Sequence, residues 1–166
     1  MFRRAFWEPV PNDPFNLLRN RNMRNTHKRK FNCGGYALGV FSWYCPHREE
    51  EDNTLFGRYY ANNEEEAISI TEHSVQVMLE DFRGKLRVIS EVAEADLKTE
   101  VVIAFRISTL GGDFHYVRRG CNGGWYHKMG GRMYIERMDA MEVFSEGWYF
   151  GPICYDGPLV LFAMTK

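Results

Sequence analysis

The sequence contains no apolar run of the roughly 18 residues that a membrane-spanning helix needs. Its first residues, M-F-R-R-A-F-W-E-P-V-P, also lack the apolar stretch that is typical of a secretory signal. We therefore expect a protein that is cytoplasmic as synthesised and has no membrane partner. Release or export by a non-classical route is the alternative.

Cysteines are few, and no two of them form a C-x-x-C pair. Four cysteines in 166 residues are too scattered for a disulfide scaffold, so we expect free thiols at Cys33, Cys45, Cys121 and Cys154. A zinc site built from Cys33, His115, Cys121 and His127 is a second hypothesis, but their spacing matches no compact zinc motif. The sequence thus predicts neither a metal nor another cofactor.

Several nucleotide-binding and hydrolase motifs are absent as well. The chain has no P-loop, no G-x-G-x-x-G, no G-x-S-x-G and no internal repeat. These absences exclude the nucleotide-binding and serine-hydrolase classes that such motifs define. A hydrophobic share of 45% and an aromatic share of 15% instead indicate one soluble, well-packed globular domain.

Charge is distributed unevenly along the chain. Residues 1–30 hold eight Lys or Arg against two acidic residues, whereas residues 49–100 hold fourteen acidic residues against five basic ones. Three prolines keep the first fifteen residues extended. We therefore predict a basic, Pro-containing arm over residues 1–30 and a single domain over residues 31–166. The arm is either solvated or bound to an acidic surface, and its lack of interleaved aromatic residues argues against nucleic acid.

The order of helix-like and strand-like segments predicts an α+β domain. A helical pattern begins at Cys33 and continues to Tyr44, and a second helix is capped by Asn62 or Asn63 and ends at Gly84. The second helix should bury Ala67, Thr71, Val75, Met78 and Phe82, flanked by Ile68 and Leu79. Strand-like segments follow at Leu86–Val92, Val101–Ser108, Phe114–Arg119, Trp125–Met129 and Pro158–Met164. Helices first and an antiparallel sheet afterwards are typical of the α+β class.

Cys33 is the strongest candidate for a catalytic residue. A thiol in the first turn of a helix meets the positive end of the helix dipole, which lowers its pKa and favours the thiolate. Gly34 and Gly35 are expected to leave open space around the sulfur, and the backbone N–H of Cys33 could serve as an oxyanion donor. The competing interpretation is a small buried cysteine with a packing role only.

Two histidines twelve residues apart, His115 and His127, are the candidate bases. A two-residue turn at Asn122-Gly123 would place them on opposite faces of a hairpin, whereas an odd loop places them on one face. We favour a five-residue loop, residues 120–124, which pairs His127 with Val117 and puts the two rings diagonally adjacent. The roles would then be Cys33 as nucleophile, His115 as its base and His127 as the group that orients the base.

These residues resemble a known family. The string F-N-C-G-G-Y-A-L resembles the F-D-C-S-G-L-V motif of the NlpC-type cysteine peptidases. The strings D-L-K-T-E-V-V-I-A-F and D-F-H-Y-V are similar to that family's core strand and histidine strand, in the same order. A third polar residue, commonly His, stands about twelve positions after the family's catalytic histidine, as His127 does here. The resemblance covers roughly residues 31–130 and extends to the related CHAP amidases.

The resemblance implies a papain-like core in which an N-terminal catalytic helix packs on an antiparallel sheet. It also implies a cysteine peptidase or amidase that cleaves amide bonds in a peptide or peptidoglycan-like substrate through Cys33, His115 and His127. The same fold hosts acyltransferases and deamidases, and a non-catalytic adaptor or inhibitor is a further alternative. Oxyanion or positioning candidates are Asn32, His27 and Asn25, and groove candidates are Gly34, Gly35, Tyr36, Asp113 and Trp125.

Three features depart from the family pattern. Asn32 stands where many relatives have Asp, and His27 stands where papain-type enzymes have Gln. The acidic insertion between helix and sheet is also long. The second oxyanion donor and the substrate therefore stay open at the level of sequence.

Overall fold

The computed structural model describes residues 31–40, 42–46, 60–130 and 135–166. The predicted arm over residues 1–30 lies outside the described residues, as does much of the acidic segment before Tyr60. Among the helices within the described ranges, none is long and apolar enough to cross a membrane.

Helices precede most of the strands, as the sequence predicts. The helices are α1 (Cys33–Ala37), α2 (Glu64–Asp81) and α3 (Ala140–Val143), with a 3-10 turn at Val92–Glu94. The strands are β1 (Leu86–Ile89), β2 (Glu100–Ser108), β3 (Asp113–Arg119), β4 (Trp125–Lys128), β5 (Ile135–Met138), β6 (Trp148–Phe150), β7 (Ile153–Tyr155) and β8 (Val160–Thr165).

Six of these strands form one antiparallel sheet in the order β1-β8-β2-β3-β4-β5. Strands β6 and β7 pair with each other as a separate hairpin. The α+β prediction with an antiparallel sheet is confirmed at this level. All five predicted strands are present with shifted ends, whereas β5, β6, β7 and α3 were not predicted because each spans only three or four residues.

Helix α2 follows its sequence signals closely. The side chain of Asn63 caps the helix by accepting a hydrogen bond from the Glu66 N–H at 2.8 Å. The predicted buried residues Ala67, Thr71, Met78 and Phe82 are buried, but Val75 is only half-buried and Ile68 is 41% exposed. Ser74 and Val77 are buried as well, so the buried stripe is rotated slightly from the predicted one.

The prediction of a long helix from Cys33 to Tyr44 is wrong. Helix α1 contains only five residues, and the chain turns at Gly39, whose φ of 67° lies in the left-handed region. The Asn32 side chain then holds the returning segment, because its Oδ1 accepts from the Tyr44 N–H at 3.0 Å and its Nδ2 donates to the Tyr44 carbonyl at 2.8 Å. The apolar residues of this segment are buried on a short helix and on the turn that follows it, so their helical spacing does not indicate a continuous helix.

The sheet is covered on both faces. On the helical face, α1 and α2 pack on a cluster that contains Phe105, Ile107, Tyr116 and Phe162. On the hairpin face, the β6–β7 hairpin and α3 pack on a second cluster that contains Val102, Ala104, Val117, Leu161 and Ala163. Strand β2 contributes to both clusters, so it is buried along nearly its whole length.

Candidate active site

The two histidines lie on the same face of the β3–β4 hairpin. Val117 pairs with His127 across the hairpin, and the loop between the strands has the five residues 120–124. The predicted odd-length loop and register are therefore confirmed. The Nε2 atom of His115 lies 3.0 Å from Nδ1 of His127, within hydrogen-bond distance.

Three aromatic side chains of the β6–β7 hairpin enclose this histidine pair. The Phe150 ring stacks on His127 at a centroid distance of 4.5 Å, and the Tyr155 ring lies 5.1 Å from His115. Trp148 meets His115 edge to face. Sequence reasoning missed these residues, although the aromatic run W-Y-F followed by Tyr155 was a visible signal.

Burial keeps both imidazoles neutral. It lowers the pKa of His115 well below its usual value, with a smaller contribution from His127. It also lowers the pKa of His127 to about 4, against the opposing effect of Glu136. The Glu136 Oε2 lies 3.9 Å from His127 Nε2, and the two residues are cross-strand partners. A neutral pair of rings can share a single N–H···N hydrogen bond, as the base and orienter roles require.

Cys33 begins α1, but its thiol is not the activated group that the sequence predicts. The side chain is 4% exposed, and its Sγ donates to the Phe114 carbonyl oxygen at 3.9 Å. Burial first and the Asp113 charge second raise the thiol pKa to about 12, while backbone N–H groups of Tyr116 and Gly34 oppose the rise. A five-residue helix has too weak a dipole to offset the desolvation of a thiolate. In this arrangement the thiol is protonated.

Cys33 and His115 approach β3 from different directions. Phe114 and Tyr116 belong to the helical face with Cys33, whereas the His115 ring lies among the aromatic residues of the hairpin face. The sulfur nevertheless contacts the strand at the Phe114 carbonyl, immediately before His115. Tyr155 links the two sides, because its ring contacts His115 and its pKa is raised partly by Cys33. The predicted nucleophile and base thus lie on opposite faces of β3, and the contact between Cys33 and this strand is made through the Phe114 carbonyl and not through the His115 ring.

The predicted oxyanion and positioning residues have different outcomes. Asn32 holds the local backbone, since its amide oxygen caps α1 by accepting from the Gly35 N–H and also accepts from the Tyr44 N–H. Its carbonyl oxygen therefore serves local structure, and its amide already donates to a backbone carbonyl. His27 and Asn25 lie outside the described residues.

Gly34 and Gly35 do not line open space, contrary to the expectation from sequence. Both are buried, and a methyl group at position 35 would overlap the Ser42 carbonyl oxygen and lie 2.8 Å from the Phe31 Cβ. A methyl group at position 34 would lie 2.8 Å from the Tyr44 carbonyl oxygen. The glycines instead allow the returning segment to pack directly on α1.

The remaining groove candidates divide between the core and the site. Tyr36 and Trp125 are each 3% exposed and lie in the interior, so the prediction that they line a groove is wrong. Asp113 is half-buried, its charge raises the pKa of the Cys33 thiol, and its Oδ2 accepts a hydrogen bond from the Tyr155 hydroxyl at 2.8 Å. Of the five groove candidates, only Asp113 has its polar group at the site.

A buried lysine also lies near the thiol. The Lys128 Nζ donates to the carbonyl oxygens of Phe31 and Gly130 at 2.6 and 2.5 Å and lies over the Phe31 ring. Burial lowers the pKa of Lys128 to about 8, and the proximity of Cys33 opposes this change. The lysine anchors the segment that leads into α1 and provides a positive charge that favours the Cys33 thiolate.

No cluster of three or more His, Cys, Asp or Glu side chains within the described part of the chain can hold a metal ion. The zinc hypothesis grouped Cys121 with the site, but Cys121 is exposed on the loop between β3 and β4. The chemistry available at this site is that of a thiol, two imidazoles, a carboxylate and an ammonium group.

Comparison with protein-family models, with curated proteins and with solved structures finds no match to this chain.

Proposed function

We propose that the chain is a cysteine-dependent hydrolase that cleaves an amide bond in a peptide or peptidoglycan-like substrate, on a papain-like core of the NlpC type. The observation that carries this proposal is the 3.0 Å contact between His115 Nε2 and His127 Nδ1. It leaves Nδ1 of His115 as the ring nitrogen available for proton exchange, and we assign Cys33 as the partner in that exchange. The position of Cys33 at the start of a helix on the histidine strand supports the same assignment.

In the proposed reaction, His115 takes the proton of the Cys33 thiol, and the thiolate attacks the carbonyl carbon of the substrate. The tetrahedral intermediate collapses as the C–N bond breaks, and the leaving amine receives the proton from His115. Water, deprotonated by His115, then attacks the thioester and releases the carboxylic acid and the Cys33 thiol. His127 holds the His115 ring in the orientation and tautomer that these transfers require.

Attack on a substrate requires that the buried sulfur become accessible. The sulfur belongs to the cluster on the helical face, together with Tyr44, Tyr116 and Phe114. We therefore assign the opening step to the segments that cover it on that face.

A peptide vinyl sulfone, which captures a catalytic thiolate by addition, tests the proposed function. We expect the probe to label Cys33, and the Cys33→Ala variant to lose this label. Cys121→Ser is the matched control, because Cys121 is exposed on a loop, and this variant should label like the unaltered chain. Labelling of Cys33 should slow by at least tenfold in His115→Ala. Labelling at Cys121 with none at Cys33 would contradict the proposal.

A binding module without turnover is the second candidate function, and the burial of Cys33 favours it. Such a protein would keep the thiol protonated and enclosed as a core residue. It would bind a peptide ligand equally well with Cys33 or with alanine at this position. Substrate turnover that is lost in Cys33→Ala would exclude this candidate.

A further inference from the structure

The charge of Asp113 opposes ionisation of the proposed nucleophile, Cys33. It is the first residue of β3, and the thiol of Cys33 bonds to the carbonyl of the next residue, Phe114. A carboxylate beside a thiol opposes ionisation of the sulfur, because two negative charges repel each other in a desolvated site. The thiolate of a catalytic cysteine is therefore destabilised as long as no positive charge neutralises the carboxylate.

The described residues provide no cation that neutralises Asp113. Neither of the ion pairs described among them involves this carboxylate. Its Oδ1 accepts the Phe114 N–H at 2.8 Å, and its Oδ2 accepts the Tyr155 hydroxyl at 2.8 Å. Two carboxylate oxygens offer about four acceptor positions, so two remain for another donor. The side chain is half-buried and therefore partly open to an incoming group.

The neighbours of Asp113 hold it at the site. The Tyr155 hydroxyl remains a hydrogen-bond donor, because burial first and the Asp113 charge second raise its pKa above the usual range. The Tyr155 ring also contacts His115 at a centroid distance of 5.1 Å. One tyrosine therefore connects the proposed base to the carboxylate whose charge acts on the sulfur.

Resting on the proposed function, we propose that Asp113 is a specificity residue that selects substrates carrying a positively charged group, such as an ammonium, next to the amide bond to be cleaved. Binding of that group compensates the carboxylate and removes its repulsion on the thiolate. Substrate binding and activation of the nucleophile are then coupled, and the coupling is reciprocal. A neutral or acidic substrate leaves the thiol protonated.

Among the described residues, the other ionisable groups near the sulfur do not perform this task. Lys128, from β4, has its ammonium bound to the carbonyls of Phe31 and Gly130. His115 and His127 are neutral because burial lowers the pKa of both. Tyr155, from β7, is a neutral donor. Within the described part of the chain, Asp113 is therefore a carboxylate with no cation on its own oxygens, while the Lys128 ammonium is held by backbone carbonyls.

Alkylthiosulfonates of different charge measure this preference directly on the full chain. The Cys33 thiolate attacks the sulfenyl sulfur, a disulfide forms, and methanesulfinate leaves. The probes are methyl methanethiosulfonate (neutral), its 2-aminoethyl analogue (cationic) and its 2-sulfonatoethyl analogue (anionic). Rates at Cys33 are read by mass spectrometry of its peptide and divided by the rates with N-acetylcysteine.

We expect the cationic probe to exceed the neutral one by about tenfold at Cys33, which corresponds to about 1.4 kcal/mol. The anionic probe should be slower than the neutral one by a similar factor. In Asp113→Asn, an isosteric change, the ratio should fall towards one and the neutral rate should rise. Asp113→Ser should behave in the same way. Glu65→Gln, which removes a carboxylate from the exposed side of α2, should keep the tenfold ratio.

Equal normalised rates for all three probes in the unaltered chain would overturn the inference, and so would a cationic preference that survives Asp113→Asn. If Cys33 still reacts with the peptide vinyl sulfone in either case, the proposed function stands and only the specificity is wrong. If Cys33 reacts with neither type of probe while N-acetylcysteine reacts, the nucleophile assignment fails and the specificity fails with it.

Discussion

The Nε2 atom of His115 lies 3.0 Å from Nδ1 of His127, on one face of the β3–β4 hairpin. If His115 accepts a proton at Nδ1, its Nε2–H donates to His127, and His127 carries its own proton on Nε2. That nitrogen faces Glu136 Oε2 at 3.9 Å, so the carboxylate favours this tautomer. The chain of groups from His115 through His127 to the half-exposed Glu136 then has one consistent set of protonation states.

Removing each histidine should have a different effect on turnover of a peptide substrate. We expect His115→Ala to lower kcat by about two to four orders of magnitude, because no group remains to move the proton. His127→Ala should lower kcat less, since the base remains but its ring is free to rotate. His127→Asn or His127→Gln should recover part of the loss through an amide hydrogen bond to His115. Unchanged turnover in His127→Ala would assign the orienting role to another residue.

Stability should fall in mild acid because of the same pair. The pKa of His127 is about 4 in the folded chain and about 6.5 when unfolded, so the unfolded state binds more protons between these values. The contribution of neutral His127 to the free energy of unfolding is complete above pH 6.5 and is lost as the pH falls through 4. The free energy of unfolding, measured in urea, should decrease from pH 7 to pH 4 in the unaltered chain. In His127→Gln this decrease should be smaller by up to about 3 kcal/mol. His73→Gln, a change at an exposed helix position, should retain the full decrease.

Lys128→Met should act on the Cys33 thiol in the opposite direction to Asp113→Asn. The ammonium of Lys128 lowers the thiol pKa, so its removal raises that pKa further and reduces the thiolate fraction. We expect the rate of Cys33 with neutral methyl methanethiosulfonate to fall by several-fold at constant pH. Lys85→Met, at an exposed position before β1, should leave the rate unchanged. A faster reaction in Lys128→Met would show that the lysine restricts access to the sulfur and does not stabilise its charge.

Gly35→Ala should destabilise the fold, because the added methyl group overlaps the Ser42 carbonyl and crowds Phe31. The Ser42 backbone on one side and the Cβ of the buried Phe31 on the other leave little room to relax, so we expect a loss of about 3 kcal/mol. Gly147→Ala is the matched control, because its nearest contact would be an ordinary 3.5 Å and its φ is not positive. The free energy of unfolding in urea measures both. Equal stability of the two variants would contradict the direct packing of the returning segment on α1.

Local sequence signals were sufficient for several parts of the structure. The register that unites His115 and His127 follows from the alternation of side chains along a strand and from the odd number of loop residues. The cap at Asn63 and the extent of α2 follow in the same way from side chains within a few positions of the helix start. Such features depend on neighbours along the chain, so the pattern of residue types determines them.

Long-range packing decided the rest. The sequence marked Cys33 as a helix-start thiol, but Phe114, Asp113 and Lys128, roughly 80 or more residues away, determine its burial and charge environment. The same holds for Gly34 and Gly35, whose role depends on where residues 42–44 return. Helical spacing could not reveal that return, because a turn at Gly39 and a tether at Asn32 interrupt the helix. Desolvation and steric exclusion depend on all atoms within a few ångströms, and only the tertiary structure brings those atoms together.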